Sequence, residues 1–357
     1  MSDMTTEKFF RVGFSADFLD EQRQLIFPDI GLSLLDSEPD ISYEFLSDYR
    51  DVYVPEQIAS YDVIITMGPS LDASSLQEIE RLCAIGRCGV GYDNVDLLAC
   101  TENDIAVYIT PGGVIRPMAE SIVLLVLSLS HNLVIKDRMV REGRWVASRR
   151  KLGRGPRDRT IGTIGLGNIA CEAIRLLRNF GVGQFLAFDP YVADAKAREL
   201  GVELVSLDGL LQRSDYVLVN CPLKPDTRHL IGERELGLMK SDAVLINTAR
   251  GPIIDQVALI DALKSRAIAG AALDVFEKEP LESDSPLLKL ENVILTSHSV
   301  GWTEELFRDM GRIDCEGVVA LSKGNPPASV VNEKVLKRPG FLKKLEHYAE
   351  RRNGGTK

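Results

Sequence analysis

Residues Thr160–Leu177 read TIGTIGLGNIACEAIRLL. A short apolar run, TIGTI, leads into Gly165, Gly167 and Ala170 in a G-x-G-x-x-A spacing. An amphipathic pattern then continues through Leu177. Strand, glycine turn and helix in that order form a dinucleotide-binding fingerprint. Gly165 permits the tight turn. Gly167 lets a pyrophosphate approach the backbone, where the amides of Asn168 and Ile169 open the helix and carry the positive end of its dipole. Ala170 replaces the third glycine, a position that asks only for a small side chain. The next apolar run, QFLAFDP, ends in Asp189, about twenty residues on, where a carboxylate accepts from the adenosine ribose hydroxyls and repels a 2′-phosphate. The expected cofactor is therefore NAD rather than NADP.

Outward from this stretch, short apolar runs alternate with helical patterns in two series. The first is FFRVGF, ISYEFL, YDVIITMG, LCAIGRCG and IAVYIT; the second is TIGTIGLG, QFLAFDP, YVLVNCP, AVLINTAR, IAGAALDVF and NVILTSH. Continuous Val, Ile and Leu runs bounded by Gly, Pro or Asp are what strands of a parallel sheet covered on both faces require. Two series predict two doubly wound parallel-sheet α/β domains. Between them PMAESIVLLVLSLSHNL reads as a buried helix starting at Pro117, where no amide donor is needed. REGRWVASRRKLGRGPRDRT reads as a solvated loop. The tail from Glu333 to Lys357 reads as a packed or frayed helix, with Phe341, Leu342, Leu345 and Tyr348 at helical spacing.

Composition bounds the function. A chain of 357 residues exceeds one ordinary core, and 45% hydrophobic with 26% charged residues is usual for a folded soluble protein. The formal charge of −10 argues against nucleic acid or an anionic membrane as a main partner. The run IVLLVLSLS is too short to span a bilayer. The start MSDMTTEKFFRVGF lacks the pattern of a secretory signal. Six cysteines, none in a C-x-x-C pair, suit reduced thiols in a cytoplasmic protein. No metal-ligand spacing appears.

Three strand ends in the second series carry chemistry. VLINTARGPIID presents Arg250, GAALDVFEKEP presents Asp274 and Glu279, and VILTSHSVG presents His298. Ligands gather outside the carboxyl ends of parallel strands, so Arg250, Glu279 and His298 are expected to converge. A guanidinium clamps a carboxylate through two parallel hydrogen bonds. Histidine gives or takes a proton near neutral pH, and a glutamate beside it fixes the tautomer. With bound NAD this trio suits hydride transfer at C2 of a 2-hydroxy or 2-oxo acid. The other histidines lack such a setting: His131 ends a helix, His229 lies in a polar TRHL turn, and His347 is in the tail.

These stretches, together with GRCGVGYDNVD, TPGGVIRPMAE and CPLKPDTRHLIG, resemble the D-isomer-specific 2-hydroxyacid dehydrogenase family from about Phe9 to Asn332. The resemblance implies a flavodoxin-like substrate domain formed by residues 1–115 and a return over 304–357, with a Rossmann NAD-binding domain over 116–303. It implies a homodimer built around the helix near Ala119–Leu133, and D stereochemistry. It assigns Arg250 to the substrate carboxylate and carbonyl, His298 to acid/base work and Glu279 to its partner. Asp274 would meet the nicotinamide side of the cofactor, Cys221, Thr248 and Ala249 would line its groove, and Gly301 joins them. Val90 and Gly91 would offer amides to the substrate carboxylate. Trp302 either caps an apolar substrate tail or packs between domains; Arg116 either binds a second anionic group or is a surface residue. The family often has Asn where Ile109 stands, and TPH where this chain has Thr296-Ser297-His298. TMGPS from Thr66 replaces the Arg-rich loop typical of phosphoglycerate dehydrogenases, which makes a phosphoglycerate substrate less expected. Glu279 departs from the Gln–His pair of related formate enzymes. C-terminal-binding corepressors share the fold and the trio, so an NAD(H)-sensing binding protein is the competing expectation.

Overall fold

The computed structural model describes residues 9–354. The reading of MSDMTTEK and the last three residues of the tail fall outside them. The chain forms two compact units. One joins the chain up to Val114 with the chain from Thr303 onward; the other is Ile115–Trp302.

The first unit holds a five-stranded sheet of β1 (Phe10–Phe14), β2 (Ile41–Phe45), β3 (Val63–Thr66), β4 (Ala84–Arg87) and β5 (Ala106–Ile109), in the order β2-β1-β3-β4-β5. Every ladder is parallel. Strand β3, VIIT, is buried at all four positions because helices cover both faces. The tail is a helix, Pro339–Gly354, that packs onto this unit. Phe341, Leu345 and Tyr348 are buried while Leu342 stays exposed, the one-sided pattern of an amphipathic helix. Its polar anchors are the Tyr348 hydroxyl, donating to Asp62 at 2.9 Å, and the Lys344 ammonium, donating to the Leu82 carbonyl at 2.7 Å.

The second unit holds a seven-stranded parallel sheet: β6 (Thr160–Ile164), β7 (Gln184–Phe188), β8 (Val202–Leu204), β9 (Tyr216–Val219), β10 (Val244–Asn247), β11 (Gly270–Leu273) and β12 (Val293–Leu295). The order β12-β11-β10-β9-β6-β7-β8 reverses direction between β6 and β9. That reversal opens a crevice at the carboxyl ends of these two strands. Leu186, Val217, Leu245 and Ala271 have no exposure, and burying each large aliphatic side chain contributes roughly 1.5–3 kcal/mol.

Three local expectations need correction. The sequence reading found six strands in the second series and missed β8, whose three residues Val-Glu-Leu pair only with β7 at the sheet edge; so short a run carries no periodicity to detect. The helix expected to begin at Pro117 begins at Pro111 and runs to Ser130, with Pro117 inside it. Pro111 takes the first-turn place that suits proline. Pro117 removes a single amide donor from a helix whose Ala119, Ile122, Leu125 and Val126 are locked into the core. At 20 residues this is the one helix, among the described residues, long and apolar enough to cross a membrane by length and composition; the nine-residue run judged too short is only its second half. The expected loop after Arg141 contains a five-residue helix, Trp145–Arg149.

Candidate active site

The nucleotide crevice lies at the reversal between β6 and β9. Gly165 has φ +91°, and a Cβ there would stand 2.8 Å from the Cys221 amide nitrogen. Only glycine fits both constraints. Gly167 precedes the helix Asn168–Leu177 with no side-chain cap, and no atom lies within 4 Å of where its Cβ would be. No side-chain oxygen caps the first-turn amides from Asn168 and Ile169 onward, and the space beside Gly167 is open, which suits a pyrophosphate. Ala170 is buried, as the packing position requires. Asp189 closes the far side: one carboxylate oxygen accepts from the Leu166 amide at 2.8 Å and the other from the Tyr191 amide at 2.9 Å. A carboxylate has about four acceptor sites, so two remain for ribose hydroxyls. Cys221 is buried on the opposite lip, and burial pushes its thiol up to about 11. Thr248 and Ala249 are half-buried where β10 ends.

Arg250, Glu279 and His298 sit past the ends of β10, β11 and β12, three adjacent strands. Buried Asn247 shapes the first turn: its amide nitrogen donates to the Arg250 carbonyl at 3.0 Å and its oxygen accepts from the Ala249 amide at 3.0 Å. The guanidinium donates to the Ala249 carbonyl at 2.7 Å. Gly251 follows, so close to the next strand's loop that a Cβ on it would stand 1.9 Å from the Phe276 carbonyl carbon. The Arg250 turn and the loop bearing Glu279 are therefore in direct backbone contact.

Glu279 uses both oxygens. Oε1 accepts from the Phe276 amide at 2.9 Å, and Oε2 stands 2.7 Å from His298 Nδ1. Burial works to raise the Glu279 carboxyl; the His298 and Phe276 hydrogen bonds and the charges of His298 and Arg250 outweigh it and hold the group below its ordinary range. A carboxylate on Nδ1 leaves Nε2 for a proton exchange with another molecule. The imidazole is about half exposed, 48% of its side-chain surface.

The loop bearing His298 is knitted by buried Asp274. The Asp274 carbonyl accepts the His298 amide at 2.7 Å, and its Oδ1 accepts from Thr296 Oγ1 at 2.7 Å, Ser299 N at 3.0 Å and Val300 N at 3.1 Å. His298 itself adopts φ +54°, a region unusual for a residue with a Cβ that persists where surroundings over-determine it. Asp274 was expected only against the cofactor; its part in shaping the histidine loop escaped the sequence reading, because no local pattern announces it. So did His229, set aside as a turn residue. Its Nε2 stands 2.7 Å from a Glu277 oxygen, a second His–Glu pair on the loop that carries Glu279.

The remaining candidates fall as follows. Val90 and Gly91 are half-buried after β4, in a loop held by Thr110, whose Oγ1 accepts the Gly89 amide at 2.8 Å. Gly301 is buried with its Cα against Met118, where a Cβ would lie 2.4 Å from the sulfur. Trp302 is half exposed, and its amide donates to the Ser299 carbonyl at 2.9 Å. Arg116 is an exposed ion-pair residue, 2.5 Å from Glu120 and 3.1 Å from Glu172.

Fold and site define a class: an α/β oxidoreductase whose second unit binds a nicotinamide dinucleotide. Comparison with known proteins makes it narrower. Residues 123–300 match the family described as D-isomer specific 2-hydroxyacid dehydrogenase, NAD binding domain. A glyoxylate reductase of Korarchaeum cryptofilum is 36% identical over 322 residues, covering 88% of this chain and 96% of that protein. A D-3-phosphoglycerate dehydrogenase of Archaeoglobus fulgidus is 38% identical over 278 residues, covering 77% of this chain and 52% of that protein. The crystal structure of a glyoxylate reductase from Paecilomyes thermophila superposes with a TM-score of 0.78 at 26% identity, covering 91% of this chain and 99% of that one. The chain belongs to the D-isomer specific 2-hydroxyacid dehydrogenase family. It is an NAD(P)-dependent oxidoreductase of 2-hydroxy and 2-oxo acids.

Proposed function

We propose that this protein is an NAD-dependent reductase of small 2-oxo acids such as glyoxylate, with Arg250, Glu279 and His298 as its catalytic residues. The single observation that carries this reading is the 2.7 Å His298–Glu279 pair on the strand ends next to Arg250. Bound NADH supplies the hydride. The Arg250 guanidinium clamps the substrate carboxylate and polarises the carbonyl. His298, with Nδ1 held by Glu279, gives a proton from Nε2 to the carbonyl oxygen, and the Glu279 carboxylate stabilises the imidazolium that does so. In the reverse direction neutral His298 accepts the hydroxyl proton. Asn168, Ile169 and their neighbours hold the pyrophosphate; Asp189 selects NAD because a 2′-phosphate would meet its charge. Val90 and Gly91 offer amides to the carboxylate, with Trp302 as a further substrate residue.

The same reading includes a homodimer in the cytoplasm. Its support is a run of exposed apolar residues that follows the helix Pro111–Ser130: Leu133, Val134, Trp145, Val146 and Leu152 are each at least half exposed.

The test is NADH oxidation against glyoxylate, hydroxypyruvate, pyruvate, longer apolar 2-oxo acids and dicarboxylates, with NADPH in parallel. Turnover with NADH preferred supports the proposal. Tight NADH binding without turnover on any acid overturns it and favours the binding-protein alternative.

A further inference from the structure

In the second unit, the segment that leaves β9 turns back at Thr227, whose Oγ1 accepts the Lys224 amide at 2.7 Å and donates to the Pro222 carbonyl at 2.7 Å. It then runs beside the chain that follows Arg250. The His229 amide donates to the Pro252 carbonyl at 2.8 Å, the Ile231 amide to the Ile253 carbonyl at 3.2 Å, and the Asp255 amide to the Ile231 carbonyl at 2.9 Å. His229 adopts φ +51°, a left-handed backbone that a residue with a Cβ seldom takes and that persists where its surroundings over-determine it.

The His229 side chain reaches a different segment. Its Nε2 stands 2.7 Å from Glu277 Oε1. A carboxylate only accepts, so Nε2 carries the proton, and a neutral imidazole suffices for the bond. The same Oε1 accepts the Gln256 amide at 3.3 Å, and the Glu277 amide donates to the Gln256 side-chain oxygen at 3.3 Å. Glu277 directly follows Phe276, whose amide holds Glu279 Oε1 and whose carbonyl carbon packs on Gly251. The His229 backbone is thus fixed to the chain after Arg250, and its imidazole to the loop that presents Glu279 to His298. The two paired side chains are 42% and 30% exposed, and a pair so open to water contributes little to folding. Placement of a reacting group is far more demanding, since a displacement of about 1 Å costs roughly 10²-fold in rate.

We infer that His229 is a positioning residue for the reduction: by bonding to Pro252 through its backbone and to Glu277 through its imidazole, it fixes the Glu279 loop relative to the Arg250 turn. This rests on the reading of Arg250, Glu279 and His298 as the catalytic residues. His229 acts through Glu277 and Glu279, and its imidazole exchanges no proton in the reaction. An uncharged donor of similar reach therefore serves in its place, which separates it from His298.

The experiment measures kcat and KM with glyoxylate, NADH Kd by fluorescence titration and Tm for four variants. His229→Leu removes the donor. His229→Gln places an amide nitrogen close to where Nε2 stands. Glu277→Ala removes the acceptor and leaves the left-handed residue untouched, so it tests the same bond where His229→Leu fails to fold. The double variant His229→Leu/Glu277→Ala completes the cycle. The expected result is that His229→Leu and Glu277→Ala each lower kcat roughly tenfold while NADH Kd stays within about twofold of wild type and Tm within a few degrees, and that His229→Gln returns kcat to within about twofold of wild type. The double variant should be no slower than Glu277→Ala alone, because the bond is already lost there. Wild-type kcat in Glu277→Ala overturns the inference alone. So do losses that multiply in the double variant, a His229→Gln protein as slow as His229→Leu, and a fall in kcat matched by equal losses in NADH binding and Tm. A wild-type protein that binds NADH and reduces no 2-oxo acid overturns the functional reading and this inference with it.

Discussion

Asp274 holds His298 from two directions: its carbonyl accepts the His298 amide at 2.7 Å, and its carboxylate oxygen accepts the Ser299 and Val300 amides that follow. Removing the carboxylate in Asp274→Ala strands two amides and the Thr296 hydroxyl, at about 1–3 kcal/mol for each donor left buried and unpaired. The imidazole then loses its fixed orientation, and displacements of about 1 Å cost roughly 10²-fold in rate. Steady-state kinetics with glyoxylate should show kcat falling by that order, and thermal unfolding should show a Tm several degrees lower. Wild-type kcat in this variant would refute the positioning role.

The Glu279 carboxyl sits below its ordinary range in the folded protein. For such a depressed acid, the stability it contributes is fully present above its unfolded value and is lost as pH falls through the lower folded value. Glu279→Gln should flatten the acid side of the stability curve. It should also lower kcat for 2-oxo acid reduction, because the imidazole loses the partner that holds its Nδ1 and the imidazolium loses its counter-charge. Wild-type kcat in Glu279→Gln would remove Glu279 from the proton-transfer step.

Arg250→Lys keeps a positive charge and gives up the two-pronged geometry. We expect kcat/KM for glyoxylate to drop roughly 10²-fold with NADH affinity little changed. Retained efficiency would mean that the carboxylate is bound elsewhere.

Asp189→Asn keeps one acceptor for the Leu166 amide and discards the charge that opposes a 2′-phosphate. The preference for NADH over NADPH should shrink roughly tenfold, read from kcat/KM with each coenzyme. If NADPH already serves the wild-type protein as well as NADH, the coenzyme assignment fails.

Val146 and Trp145, exposed at 65% and 62%, belong to the surface assigned to a second copy. Val146→Glu should shift sedimentation from dimer toward monomer. A wild-type protein that sediments as a monomer at micromolar concentration would rule the homodimer out.

The glycine fingerprint, Asp189 and the two series of apolar runs were legible in the sequence because each is local: a turn, a strand and a helix start within a few residues leave their own chemical record. Eleven of the twelve strands among the described residues appeared in that way, and β8 did not because three edge residues pair with a single neighbour and leave no pattern. The start of the Pro111–Ser130 helix was misjudged because two prolines compete for one helix start and local propensity does not choose between them.

The sequence by itself determined the fold class and named Arg250, Glu279 and His298, because strand-end positions in a parallel sheet point to one edge whatever the details. Only the tertiary structure decided how they are held. The backbone contact of Gly251 with Phe276, the Asp274 bonds to the His298 loop and the His229–Glu277 pair each join segments that are far apart in the chain. Hydrogen bonds and close packing act over a few ångströms of space, and separation along the chain carries no record of them.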